Sequence, residues 1–175
     1  ILKIAKNFKG IVVLDEAYID FAPGKSLLSC IGDFQNLVIL QTFSKAWGMA
    51  GIRLGMAFAS PEIISVLTKI KYPYNLNILT QQKALELTDN SKQVENWVNL
   101  ILEEREKMKE NLSGFPFVVT IFPSDANFLL VKMNDARGIY EYLKEKGIIV
   151  RDRSKVVMCG DSLRITIGSP EENKQ

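Results

Sequence analysis

Two short, unbroken apolar runs, Ile11-Val12-Val13-Leu14 and Leu37-Val38-Ile39-Leu40, limit what this chain can fold into more than any other feature. Runs of this length without alternation predict strands buried on both faces of a parallel sheet. Each releases polar residues at its carboxyl end: Asp15-Glu16-Ala17-Tyr18 after the first, Thr42-Phe43-Ser44-Lys45 after the second. Ligands of open α/β sheets bind outside the carboxyl ends of strands, so both segments are expected at one rim, with Asp15 near Lys45.

The rest of the chain divides by texture. Residues 1–8 read as an amphipathic helix ended by Gly10, and residues 54–59 as a third strand. Ser60-Pro61 predicts the start of a helix running over 63–71 and stopped by Pro73, with another over 78–87. Asn90 with Gln93 reads as a capping pair for a long helix in which Val94, Trp97, Val98, Ile101, Leu102, Met108 and Leu112 keep helical spacing until Gly114. Strands over 117–121, 126–131, 148–150 and 163–167, with a helix over 135–146, then make an α+β unit. The expected division is 1–93 and 94–175, the long helix bridging the two.

Composition removes several chemistries. The 175 residues are 47% hydrophobic and 24% charged, as in a globular chain, and a formal charge of +2 argues for neither nucleic acid nor an anionic membrane. No apolar run approaches the ~20 residues that span a bilayer, and no leader pattern opens the chain, so a cytoplasmic protein with small-molecule or protein partners is expected. The chain starts without methionine, inside a helix, and reads as a fragment. Cys30 and Cys159 lack metal or disulfide spacing and are expected as free thiols. With no histidine present, Ser-His-Asp and Cys-His catalysis and histidine-based metal sites are excluded, and no metal is expected.

Lysine is left as the candidate proton carrier. A free lysine would need about 4–5 kcal/mol to be neutral at pH 7, a cost that covalent attachment to a carbonyl largely avoids. Lys45 follows the hydroxyl-bearing Thr42 and Ser44, with Arg53 downstream and Asp15 upstream. Such a set can hold an anionic, pyridine-containing aldehyde, and pyridoxal 5'-phosphate is that kind of molecule.

With these residues the chain resembles the fold-type I pyridoxal-phosphate aminotransferases over nearly its full length, above all their histidinol-phosphate branch. The matching pieces are Val13-Leu14-Asp15-Glu16-Ala17-Tyr18, Thr42 through Arg53, Pro73-Tyr74-Asn75-Leu76-Asn77, Ala126-Asn127-Phe128, Arg151-Asp152 and Leu163-Arg164-Ile165-Thr166-Ile167-Gly168. The resemblance implies part of a large domain with a mixed, mostly parallel sheet, then a small α+β domain lacking its last helix. It implies that Lys45 carries the cofactor and shuttles a proton, that Asp15 pairs with the pyridine nitrogen, and that Tyr18 meets the phenolic oxygen. Arg53, Ser44 and Thr42 would hold the phosphate, with a short helical turn after Lys45, while Arg151 and Arg164 would meet anionic groups of the substrate. Asn75 and Asn77 match a segment near a dimer interface. Read alone, each residue keeps a plainer alternative: a capping or surface aspartate, a core tyrosine, capping hydroxyls, surface arginines, a turn after Pro73.

The implied reaction passes an amino group from histidinol phosphate to 2-oxoglutarate, reversibly, giving imidazole-acetol phosphate and glutamate in histidine biosynthesis, in a cytoplasmic homodimer with shared active sites. The family's phosphate loop, ring-flanking residues and intersubunit tyrosine find no match here, so the chain alone is expected to be inactive. Three other readings stay open: a decarboxylase of a phosphorylated amino acid, a broad or aromatic aminotransferase, and a non-catalytic cofactor-binding regulatory domain.

Overall fold

The computed structural model describes residues 1–175. They form two compact units, Ile1–Glu95 and Asn96–Gln175. The first holds helix α1 (Leu2–Asn7), strands β1 (Val12–Asp15), β2 (Leu37–Thr42) and β3 (Gly55–Phe58), helices α2 (Pro61–Ile70) and α3 (Ile78–Thr88), and the start of α4 (Ser91–Ser113). Strand β2 is central: β1 lies parallel to it, with Asp15 opposite Leu40, and β3 antiparallel, with Thr42 opposite Gly55. The sheet is therefore mixed, as expected, with one parallel and one antiparallel pairing.

Only β2 answers to the expectation of a strand covered on both faces. Its Leu37, Val38 and Ile39 are buried, and together with Phe21, Phe43, Ala46 and Met49 they belong to the core of this unit. In β1 the burial alternates, and Val13 is 58% exposed, so one face of this strand is open. A continuous apolar run thus marks a hydrophobic strand without fixing how many of its faces are covered. Asn36 sets the approach to β2: its amide donates to the carbonyls of Ala5, Phe8 and Gly10, pinning the α1–β1 connection.

Helix boundaries follow local chemistry closely. Ser60 caps α2 by accepting from the Ile63 N–H, with Pro61 at the first helical position, and Asn77 caps α3 by accepting from the Thr80 N–H. Asn90 and Gln93 do not form the expected capping pair. The Asn90 amide reaches back to the Glu86 carbonyl of α3, while the Asn90 carbonyl accepts from Gln93 and Val94.

The second unit holds the remainder of α4, strands β4 (Val118–Ile121) and β5 (Phe128–Met133), helix α5 (Ala136–Glu145), and strands β6 (Arg151–Asp152) and β7 (Ser162–Thr166). Its antiparallel sheet runs β4-β5-β7-β6. Leu129, Val131, Met133 and Leu163 form one buried face with Ala136, Val150 and Ile167, against which Ile101, Met108 and Leu112 of α4 and Ile139 and Leu143 of α5 pack.

The strand expected over 148–150 is absent; β6 begins at Arg151. Gly147, at φ 80°, donates to the Lys144 carbonyl and Ile148 to the Leu143 carbonyl, a Schellman closure that takes up the backbone a strand would have used. Cys30 and Cys159 are free thiols, one in each unit. No helix is long and apolar enough to cross a membrane, and no cluster of metal-ligating side chains is present.

Candidate active site at the ends of two parallel strands

The parallel pairing of β1 and β2 brings their carboxyl ends to one edge, and the Glu16 N–H donates to the Leu40 carbonyl at 2.8 Å, carrying the contact one residue past β1. Asp15 is exposed there, and its Oδ1 accepts from the Ala17 N–H at 2.9 Å, which fixes the orientation of the carboxylate. The chain then enters a 3-10 turn over Ile19–Phe21 preceded by Tyr18. The Lys45 Nζ lies 5.0 Å from the centroid of the Tyr18 ring.

Lys45 sits on a tight turn built by its neighbours. Gly48, at φ 67°, donates to the Lys45 carbonyl, and Met49 closes the turn onto the Phe43 carbonyl at 3.0 Å. Phe43, Ala46 and Met49 are buried, and Phe43 meets Trp47 edge to face at 5.4 Å, so the turn is anchored on apolar contacts while Lys45 stays half-buried at its surface. The Thr42 hydroxyl donates to the Leu54 carbonyl at 3.2 Å and accepts from the Ser44 N–H at 3.1 Å. Its proton is used within the protein, so Thr42 holds the turn that presents Ser44.

Between Lys45 and Arg53 the helical turn is a 3-10 helix of three residues, Ala50–Ile52, too short to aim a set of free N–H groups at an anion. Arg53 follows in the left-handed region, at φ 55° and ψ 43°, exposed, with Nη1 on the Ala50 carbonyl at 3.0 Å. One edge of its guanidinium fork is held and the other side is open to solvent.

Glu16 is the residue at this edge that a local reading gives no part. It is 6% exposed; its Oε2 accepts from the Ser26 hydroxyl at 2.6 Å and the Gln41 amide at 2.9 Å, and its Oε1 from the Leu27 N–H at 2.9 Å. The only signal it offers is an acidic residue placed straight after a strand end, with partners too distant in sequence to read.

In the second unit, Arg151 of β6 and Arg164 of β7 are direct cross-strand partners, a pairing invisible while their segments are read separately. Arg164 also lies opposite Leu130 of β5, on the face away from the core, with its guanidinium 4.9 Å from the centroid of the Phe128 ring. Like charges directly opposite each other are unfavourable. Asp152 accepts from the Ser154 N–H at 2.8 Å, and the Ser154 hydroxyl first, then that N–H, hold its carboxyl below the usual range. Asn75 accepts from Lys71, and Asn77 serves as the α3 cap.

The family model for aminotransferase class I and II matches residues 1–175. The chain is 59% identical over 173 residues to the histidinol-phosphate aminotransferase of Parabacteroides distasonis, covering 99% of this chain and 50% of that protein. It thus spans about half the length of the curated relatives it matches. Among solved structures, the histidinol-phosphate aminotransferase of Clostridium acetobutylicum superposes with a TM-score of 0.90 at 25% identity, covering 99% of this chain and 54% of that one. A decarboxylase from Sulfurospirillum multivorans superposes at 0.85 with 28% identity, covering 99% and 52%.

Proposed function

The chain belongs to the class I and II aminotransferases, and from that premise we propose that the whole protein is a pyridoxal-phosphate-dependent transaminase acting on histidinol phosphate. It would pass the amino group to 2-oxoglutarate, giving imidazole-acetol phosphate and glutamate, reversibly. The observation that carries the cofactor reading is the Lys45 ammonium 5.0 Å from the Tyr18 ring, at the edge where Asp15 also lies. The substrate reading rests on the 59% identity to a histidinol-phosphate aminotransferase.

The donor set suits a phosphorylated pyridine aldehyde: a half-buried primary amine, a carboxylate already oriented by a backbone N–H, and a guanidinium held along one edge. When bound, pyridoxal phosphate would supply an electron-accepting ring to the carbon that loses its proton. Lys45 Nζ would hold the carbonyl and move the proton. Asp15 keeps the pyridine nitrogen cationic, which strengthens the ring as an acceptor, and the Tyr18 phenol hydrogen-bonds the ring oxygen. Arg53 and Ser44 bind the phosphate, Thr42 acting through Ser44. Arg151 and Arg164 receive an anionic group of the substrate. The family's homodimeric, cytoplasmic form belongs to the same proposal, as does the division into a large cofactor domain over 1–93 and a small one over 94–175.

Borohydride reduction of the full-length holo protein followed by peptide mapping is expected to leave the cofactor on Lys45; label on another residue contradicts the assignment. A coupled transamination assay with histidinol phosphate against aromatic amino acids as donors is expected to favour histidinol phosphate. The likeness to a decarboxylase favours a second reading, release of carbon dioxide from a phosphorylated amino acid. Turnover without 2-oxoglutarate would select it.

A further inference from the structure

We propose that Glu16 is a positioning residue for the Lys45 site: its buried carboxylate ties the Asp15–Tyr18 segment to the end of β2 and so holds Tyr18 over Lys45. The inference rests on reading Lys45 as the carrier of pyridoxal phosphate. Glu16 is covalently next to Asp15 and two residues before Tyr18, while its partner Gln41 directly precedes Thr42 and the lysine turn. One carboxylate therefore connects both strand ends that carry the candidate chemistry.

The bonding is suited to fixing geometry. A buried charge is costly unless its lone pairs are satisfied. Here the three acceptor contacts of Glu16 come from neutral donors: the Ser26 hydroxyl, the Leu27 N–H and the Gln41 amide. Gln41 also reaches Ser26 Oγ at 3.2 Å, and Ser26 in turn accepts from the Leu28 N–H, opening the 3-10 helix over Leu27–Asp33. These partners lie 10, 11 and 25 residues along the chain from Glu16, so the carboxylate joins three segments. An apolar side chain would fill the volume but could not set their mutual register. A glutamine would fill it too, but its one NH2 group would face either the Leu27 N–H or the Gln41 amide as that amide is placed, donor against donor.

The test uses the full-length protein, reconstituted with pyridoxal phosphate. E16Q is expected to lower kcat about tenfold or more, as small misplacements of reacting groups do. It is also expected to raise the pH midpoint of the bound cofactor's visible absorbance by roughly half a unit or more, because the Tyr18 phenol that lowers that midpoint is displaced. The double variant E16Q/Q41E returns a carboxylate to the same network from the other side, and is expected to bring both readouts back towards wild type. An unchanged midpoint in E16Q overturns the proposal, whether activity is retained or is lost together with the thermal stability of the cofactor-free protein. Failure of the wild-type protein itself to take up cofactor at Lys45 refutes the reading of the site, a result seen before any Glu16 variant is made.

Discussion

Arg53 holds φ 55° and ψ 43°, a left-handed backbone that a long side chain adopts at a cost of roughly 1–3 kcal/mol. Asparagine tolerates that region and cannot reach as a guanidinium does. Arg53→Asn is therefore expected to leave the unfolding free energy of the cofactor-free, full-length protein unchanged or raise it by up to about 1 kcal/mol. The same change is expected to weaken pyridoxal-phosphate binding about 10- to 100-fold, the loss expected of charge-assisted hydrogen bonds. Denaturant titration and cofactor titration read the two effects separately, and a fall in both refutes the assignment of strain and phosphate contact to one residue. The cluster at this edge is largely legible in sequence, because Asp15, Tyr18, Ser44 and Lys45 stand within a few residues of two strand ends and strand direction alone brings them together. Glu16 is not legible, since the bonds that define it reach 10 to 25 residues away and no local pattern records them. Thr42 shows the opposite limit: its spacing suits a ligand contact, and only the structure shows its proton on the Leu54 carbonyl.

At the scale of elements, boundaries are legible where a capping residue marks them, as Ser60 and Asn77 do, and fail where tertiary or capping hydrogen bonds take the backbone, as at residues 148–150. Gly147 was the available signal there, being a glycine directly after a helix. The start of α5 allows a sharper test of capping. Asp135 Oδ1 accepts from the Gly138 N–H at 3.0 Å, and a Cβ at Gly138 would collide with the same carboxylate. Replacing a helical glycine by alanine ordinarily stabilises by about 1 kcal/mol. Here the gain has to come at the expense of the cap, itself worth roughly 0.5–2 kcal/mol. Gly138→Ala is therefore expected to give no stabilisation in the wild-type background, yet about 1 kcal/mol when Asp135 is already alanine. Denaturant unfolding of the four proteins of this cycle measures it, and equal gains in both backgrounds refute the clash.

At the scale of the whole molecule, each unit joins an apolar core to a buried acid. In the first these are β2 and Glu16; in the second, an apolar sheet face is joined by a polar clasp between distant parts of the chain. The clasp is Glu104 of α4, buried, which accepts from Asn173 at 2.9 Å, 69 residues away, and pairs with Lys107 at 2.8 Å. Asn173 also bonds both the carbonyl and the N–H of Gly168, so it closes the chain after β7 against α4. Sequence periodicity predicts the α4 stripe that faces the sheet but has no means of pairing an acid with an amide so far along the chain. The Asn173 amide first, and then Lys107, hold the Glu104 carboxyl below its ordinary value of 4.5. A group whose folded pKa is depressed favours the folded state fully above its unfolded value and loses that contribution as pH falls through the folded one. The contribution of Glu104 is thus complete above about 4.5 and disappears on further acidification. Asn173→Ala removes the larger cause, so the variant is expected to be less stable than wild type at pH 7. The difference is expected to shrink steadily as pH falls from 4.5 towards 3, because protonation dissolves in the wild type what the substitution has already removed. Taking that difference by denaturant unfolding of the full-length protein across pH cancels the other titrating acids, including Glu172, whose carboxyl the Ser169 N–H and hydroxyl also hold low. A stability difference constant from pH 7 to pH 3 means that Asn173 acts by packing alone, and that the charge on Glu104 has no part in closing the second unit.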